Sequence, residues 1–224
     1  MTADTAPARR YYHLLALLAL FLLALTPRLY SALNLGWDWD YPGSFTLINF
    51  DEAGSCRAAL GGFDYSTFIG RQTIAIADLL GAGPEPGTAG DSRAATATCH
   101  SVGHIQVARI YSAVAGALTV SVLVLIGLAL RPDQPGVAWV AAWLLAVSGF
   151  HISESHSATV HAPSVFYIYA FIPLMVYALS TQRRAIWVSP LLLVAAVWTK
   201  YWVFAVFAYL AVLPARGWQV VSQG

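Results

Sequence analysis

Charged residues are scarce in this sequence: Asp, Glu, Lys and Arg make up 10% of its 224 residues. Soluble domains carry about 25% charged residues, so the composition argues against a soluble protein. The net charge is only +1 and the basic residues form no patch, which argues against nucleic acid as a partner. Apolar residues make up 58% of the chain instead, which is typical of an integral membrane protein.

Long apolar runs predict an all-α, polytopic membrane protein with about six transmembrane helices. A spanning helix needs about 20 apolar residues to cross a hydrocarbon core of roughly 30 Å. The predicted spans are residues 11–33, 104–130, 137–150, 163–179, 186–198 and 201–213. The last two are short, and we interpret them as a hairpin. The first run also fits a secretory signal peptide, but no small-x-small cleavage site follows it.

Arginine placement predicts the orientation of these spans. With the N-terminus inside, the cytoplasmic loops and termini hold six arginines and two acids, and the other nine acids fall outside. Short Arg-rich loops stay in the cytoplasm, so we expect both termini to be cytoplasmic.

Residues 34–103 then form one large outer loop, and residues 150–163 form a second one. Within the first loop, Asp51 is expected to open a helix that Gly61 and Gly62 end. Residues 66–80 form a second amphipathic stretch, and both helices are expected to lie along the outer leaflet. Residues 1–224 constitute a single membrane module in this interpretation.

Only two cysteines are present, Cys56 and Cys99, and both lie in the first outer loop. The outer side of a membrane is oxidising, so a disulfide between them is expected. Two free thiols are the alternative.

Three groups of residues are candidates for chemistry. Asp51 and Glu52 follow an apolar stretch, where a partly desolvated carboxylate suits a general base or a metal ligand. A helix N-cap with a first-turn acid is the alternative interpretation. On the second outer loop, Glu154, His156 and His161 are candidate ligands of a metal, although their spacing does not place them on one helix face. A polar loop below an outward-facing cavity is the alternative there.

Arg109 and Lys200 are the candidate cations. Arg109 lies at membrane depth in the second span, where a charge needs a partner or an anionic ligand. Snorkelling to the outer interface is the alternative. Lys200 lies at the turn of the predicted hairpin, where it can contact a lipid phosphate.

Four segments carry a resemblance to a known family. They are residues 49–53 (NFDEA) with 57–60 (RAAL), residues 108–116 (ARIYSAVAG), residues 150–163 (FHISESHSATVHAP) and residues 198–201 (WTKY). In their order, spacing and predicted sidedness, these segments resemble GT-C membrane glycosyltransferases of the protein mannosyltransferase and aminoarabinose transferase type.

The resemblance implies a function at the outer face of a bacterial or archaeal inner (cytoplasmic) membrane. Such enzymes transfer a sugar from a polyprenyl-phosphate carrier, usually with inversion and often with a divalent metal such as Mg²⁺ or Mn²⁺. Carried over to this chain, Asp51 is the base and Glu52 its neighbour. Arg109 and Lys200 are contacts for the carrier phosphate. The expected partners are the lipid-linked sugar, membrane lipids and other membrane subunits that complete the module.

Two features depart from the family pattern. His161 stands where the family often has an acid before Ala-Pro, which affects any metal site. The chain also has about six predicted spans, whereas family members usually have more and often carry an outer soluble domain. A second hypothesis is therefore a non-catalytic GT-C-like module that serves as a structural subunit beside other membrane proteins. A small transporter is a weaker third hypothesis, because the spans lack paired broken helices and midplane charges.

Overall fold

The structure, a computed structural model, describes residues 6–36, 47–49, 51–62, 67–85, 87–180 and 189–200. Over these ranges the chain is helical and contains no strand, which confirms the predicted all-α fold. The helices are α1 (Ala6–Asn34), α2 (Gly54–Ala59), α3 (Thr67–Leu79), α4 (Ser92–Cys99), α5 (Val102–Leu130), α6 (Pro135–Val147), α7 (Gly149–His156), α8 (His161–Ser180) and α9 (Ser189–Lys200).

Two of these helices are long and apolar enough to cross a membrane. The spanning segments are Tyr11–Asn34 in α1 and Val102–Leu130 in α5, which coincide with the first two predicted spans. Residues His161–Tyr177 of α8 form a shorter apolar helix. The predicted span 201–213 and the beginning of the one before it lie outside the described residues. Six spans, and the side of the membrane on which each terminus lies, therefore stay predictions.

The third predicted span is not one straight helix. Helices α6 and α7 meet at Ser148 with a bend of 60° and can form one broken span. Ser148 has extended backbone angles and its hydroxyl accepts a hydrogen bond from the His151 N–H, so it ends α6 and caps α7. Residues 150–156 were predicted as loop and are helical instead, so that only residues 157–160 connect α7 to α8.

Small residues allow α1, α5 and α6 to approach one another closely. The core between them contains Leu20, Ala24, Ala117, Val120, Val124, Ala138, Ala142 and Ala146. A Cβ atom added at Gly127 of α5 would lie 2.4 Å from the Cβ of Ala138 in α6, so only glycine fits there. This packing is typical of membrane helices, whose association depends on close van der Waals contact.

Between α1 and α5 the described residues form three short helices, of which α4 was not predicted. Helix α2 begins at Gly54 with Ala53 as its N-cap, so the expectation that Asp51 caps it was wrong. Residues before it form turns instead, in which the Gly54 N–H donates to the Asp51 carbonyl. The predicted end of α2 is confirmed, because Gly61 has a φ of 109° and the Gly62 N–H donates to the Arg57 carbonyl.

Helix α3 is the predicted amphipathic helix, and it packs against α5 and α8 partly through polar groups. Gln72 hydrogen-bonds to the hydroxyls of Tyr111 on α5 and Tyr167 on α8. At its other end, the side chains of Leu79 and Leu80 are 86% and 69% exposed. An exposed pair of leucines beside spanning helices is consistent with contact to lipid.

The predicted disulfide between Cys56 and Cys99 is confirmed. Their Cα atoms are 5.7 Å apart, and the bridge joins α2 to the end of α4 in a small core with Ala53. The two cysteines are 43 residues apart, a closed loop that the chain-entropy relation values at about 4 kcal/mol of stability.

The disulfide gives a direct prediction. The intact protein, unfolded in denaturant without reductant, should resist alkylation by iodoacetamide and gain two alkyl groups only after reduction. Intact mass spectrometry measures both states, and reduction should also lower the melting temperature in detergent. Two alkyl groups on the unreduced protein would contradict the disulfide.

Candidate functional site

The candidate site begins with Glu52, which is 1% exposed although it is a carboxylate. Arg109 of α5 reaches it in a bidentate arrangement: Nε lies 2.8 Å from Oε1, and Nη2 lies 2.9 Å from Oε2. Arg109 is also completely buried, so the predicted alternative of snorkelling to the interface was wrong. A paired, hydrogen-bonded arginine and carboxylate are the form in which charges are tolerated inside a protein.

Two backbone amides complete the coordination of Glu52. The Ala158 N–H donates to Oε1 and the Ile48 N–H donates to Oε2, both at 2.9 Å. The remaining guanidinium nitrogen of Arg109, Nη1, donates to the Leu35 carbonyl just after α1, at 2.8 Å. The pair therefore joins the end of α1, the segment before α2, helix α5 and the linker between α7 and α8.

The charge on Glu52 is stabilised by these contacts. Burial alone would raise its pKa, but the hydrogen bonds and charge of Arg109, with the amides of Ala158 and Ile48, outweigh burial and hold the pKa below its ordinary value of 4.5. Glu52 therefore stays ionised at neutral pH, and its two oxygens accept four donors. A proton-accepting role for Glu52 would require one of these bonds to break.

Asp51 directly precedes this locked residue and is half-buried. Its N–H donates to the Asn49 side-chain carbonyl at 2.9 Å, which stabilises the turn before α2. Asp51 is thus held in a hydrogen-bonded turn at one end of the helical bundle. A carboxylate in such a place is able to accept a proton from a hydroxyl group that binds beside it.

The structure brings together two of the three predicted metal ligands. Nδ1 of His161, at the start of α8, lies 2.8 Å from Oε2 of Glu154, and both side chains are about one-third exposed. His156 is buried, and its Nδ1 is 3.1 Å from the Ile152 carbonyl. Among the described residues, no group of three His, Cys, Asp or Glu side chains converges as a metal site. The Glu154–His161 pair alone fixes the orientation of an imidazole, as carboxylates commonly do.

The other predicted cation, Lys200, is the last residue of α9, and its side chain lies outside the described part of the chain. Arg109, by contrast, is fully engaged with Glu52 and Leu35. A lipid phosphate could contact Arg109 only by displacing one of these oxygens. The predicted phosphate contacts of Arg109 and Lys200 therefore stay predictions.

A small cavity lies between α2 and α4, close to the disulfide. Its volume is about 210 Å³, and it is lined by Arg57, Leu60, Gly61, Gly62, Gly90, Ser92, Ala95 and Thr96. Backbone and short side chains form most of its wall, and Arg57 contributes a charged group to it. The cavity lies in the same segment between α1 and α5 as Asp51.

Arg28 was not singled out in the sequence, although it is completely buried on α1. It lies in the first predicted span directly after Pro27. The reasoning that marked Arg109, an ionisable residue inside an apolar run, applies equally to Arg28 and would have found it. Its partner His151 had been assigned to a loop.

The chain shows no match to known proteins that could identify the site: no family model matches it, and neither a curated protein nor a solved structure is significantly similar.

Proposed function

We propose that this chain is a GT-C-like membrane glycosyltransferase, or a subunit of one, that takes a sugar from a polyprenyl-phosphate carrier at the outer membrane face. The observation that carries the proposal is the placement of Asp51: a half-buried residue in a hydrogen-bonded turn, at the end of helices long enough to cross a membrane. The acceptor and the lipid-linked donor would meet at such a boundary, because the carrier chain stays in lipid while its phosphate lies at the interface.

In the proposed reaction, Asp51 accepts the proton of an acceptor hydroxyl. The hydroxyl oxygen forms a bond to the anomeric carbon of the sugar, and the bond from that carbon to the phosphate oxygen breaks. The electron pair leaves with the polyprenyl phosphate, and the anomeric configuration inverts. The family resemblance also implies a divalent metal such as Mg²⁺ or Mn²⁺, but only two of the three candidate ligands, Glu154 and His161, lie together, so no step of the proposed reaction is assigned to a metal.

Glu52 and Arg109 support this chemistry indirectly. Because every oxygen of Glu52 already accepts hydrogen bonds, we assign to this pair the task of holding the turn that carries Asp51. Arg109 then acts on the site through Glu52. This assignment leaves Asp51 as the base and gives the neighbouring acid a separate role.

A second candidate is a structural subunit of a larger membrane complex. It is favoured by the apolar outer face of α6, where the side chains of Val137, Val140, Trp143 and Leu144 are all more than half exposed. Such a face contacts either lipid or the helices of a neighbouring protein. An enzyme that works alone needs only lipid there.

Purification in a mild detergent distinguishes the two candidates. The glycosyltransferase should retain a polyprenyl phosphate or its glycosylated form, which lipid mass spectrometry of the purified protein would detect. The structural subunit should instead purify in a stoichiometric assembly without such a lipid. A chain that purifies alone and lipid-free, and that transfers no sugar from a polyprenyl-phosphate donor, would contradict the proposed function.

A further inference from the structure

The guanidinium of Arg28 binds main-chain oxygens of two different helices. Its Nη1 donates to the Ala24 carbonyl of α1 at 2.5 Å and to the Ala146 carbonyl of α6 at 3.1 Å. Its Nη2 donates to the Leu145 carbonyl of α6 at 3.3 Å. Arg28 is 0% exposed, so these contacts lie inside the bundle, away from water.

The fourth contact of Arg28 is an imidazole. Nη2 lies 2.6 Å from Nδ1 of His151, which belongs to α7. An arginine only donates, so Nδ1 must accept, and His151 is therefore neutral with its proton on Nε2. Among the described residues no carboxylate forms an ion pair with Arg28, whose charge is met by carbonyl dipoles and this ring.

These carbonyls lie where the broken span bends. The last four carbonyls of a helix have no partner within it, and at membrane depth no water replaces that partner. Leu145 and Ala146 are in the last turn of α6, next to the 60° bend at Ser148. A cation at the C-terminal end of a helix is also favoured by the helix dipole. The Leu145 carbonyl also accepts the Ser148 N–H, at 3.3 Å, and Arg28 adds a charged donor to it and to the Ala146 carbonyl. Arg28 thus stabilises the bend by binding carbonyls of the last turn of α6.

Helix α7 connects this bend to the candidate site. Near its C-terminal end Ser155 packs on Gly116 of α5, where an added Cβ atom would lie 2.3 Å from the Ser155 hydroxyl. Beyond its end, the linker of residues 157–160 supplies the Ala158 N–H that donates to Glu52. The position of this linker, and so of the amide that binds Glu52, depends on where α7 lies.

We infer that Arg28 is a positioning residue for the candidate site: by holding α7 at the bend of the broken span, it keeps the 157–160 linker against Glu52 and the turn of Asp51. The inference rests on the proposed function in one respect only, the catalytic role of the candidate site. The placement of α7 and its linker can be measured without any donor or acceptor.

A cysteine at position 159 reports on the linker. Thr159 is 3% exposed, and both native cysteines are in the disulfide, so Thr159→Cys introduces one free thiol that is buried. In this background, Arg28→Gln should increase the rate of labelling by a water-soluble maleimide by about tenfold or more, because α7 and the linker are released. Arg28→Lys keeps the positive charge but lacks the planar guanidinium that binds several carbonyls at once, and should give an intermediate labelling rate.

Substitutions of His151 provide a second, milder measurement. His151→Gln keeps a hydrogen-bond acceptor for Arg28 and should label at a rate close to that of the wild-type residue. His151→Leu removes the acceptor and should label faster. Arg131→Gln, at an exposed arginine just after α5, is the matched control and should leave the rate unchanged. A cysteine at the exposed Ser92 should label equally fast in every variant.

Wild-type labelling rates in a folded Arg28→Gln protein would overturn the inference. If that protein does not fold, equal rates for the two His151 variants would overturn it instead. The labelling involves no sugar transfer, so failure of the proposed function would leave this result intact. Conversely, an active enzyme whose linker labels at the same rate in all variants would refute only the positioning role of Arg28.

Discussion

Replacing Arg109 with methionine is expected to destabilise the folded protein by about 3–5 kcal/mol, the range for removing one member of a buried ion pair. Without Arg109, Glu52 would remain buried with two amide donors but with no opposite charge. Thermal or denaturant unfolding in detergent, followed by circular dichroism, measures the loss. Arg131→Met, which removes an exposed arginine just after the opposite end of α5, should change stability by less than about 0.5 kcal/mol.

The double variant Glu52→Gln, Arg109→Met tests whether the pair is the cause. Removing both charges leaves no buried unpaired ion, so the double variant should be more stable than Arg109→Met alone. Additive losses from the two single variants would show that Glu52 and Arg109 stabilise the protein independently and would contradict the paired geometry.

The same pair predicts how stability depends on pH. The pKa of Glu52 is lower in the folded protein than in the unfolded chain, because Arg109 and the backbone amides stabilise the carboxylate despite its burial. Its contribution is therefore fully present above the ordinary pKa of 4.5 and is lost as the pH falls through the lower folded value. Glu52→Gln should remove this part of the acid sensitivity, which melting temperatures between pH 3 and 7 would show.

Local features of the sequence predicted part of this structure well. The two long apolar helices follow from long apolar runs, and the disulfide follows from the two cysteines that lie between these runs. The break at Ser148 was not predictable in this way, because a serine inside an apolar run fits either a continuous helix or an N-cap. The break also depends on Arg28, over a hundred residues earlier, which binds the carbonyls of α6 beside Ser148. The local sequence around Ser148 does not reveal this contact.

The candidate site was likewise predicted only in part. Glu52 and Arg109 were each singled out, Glu52 beside Asp51 as a candidate catalytic or metal-binding carboxylate and Arg109 as a charge within a predicted span. Their pairing across 57 residues was not predicted, because hydrophobic periodicity identifies the face of one helix and not its partner. The pairing changes the interpretation of both residues. Glu52 binds Arg109 and two backbone amides, and Arg109 binds Glu52 and the Leu35 carbonyl, so both are engaged within the protein and not with the ligands predicted for them. Asp51 is left as the acid on which the proposed chemistry depends.

Replacing Asp51 with asparagine should reduce sugar transfer by about 10²–10⁴-fold, the usual range for removal of a general base. Asparagine has nearly the same shape and keeps one side-chain oxygen, but it cannot accept the proton of the acceptor. Helix α2 is capped at Ala53 and Glu52 is held by its own contacts, so abundance and melting temperature should change little. The assay is transfer from a radiolabelled polyprenyl-phosphate sugar in proteoliposomes. Asp78→Asn, at an exposed position of α3, is the matched control and should keep full activity.

Comparison with Glu52→Gln separates catalysis from structure. That variant loses a charge that Arg109 requires, so its activity should fall together with its melting temperature, whereas Asp51→Asn should lose activity alone. Full transfer by a stable Asp51→Asn protein would exclude Asp51 as the base. Activity that falls only in proportion to protein abundance would show that Asp51 stabilises the turn before α2 and takes no part in the reaction.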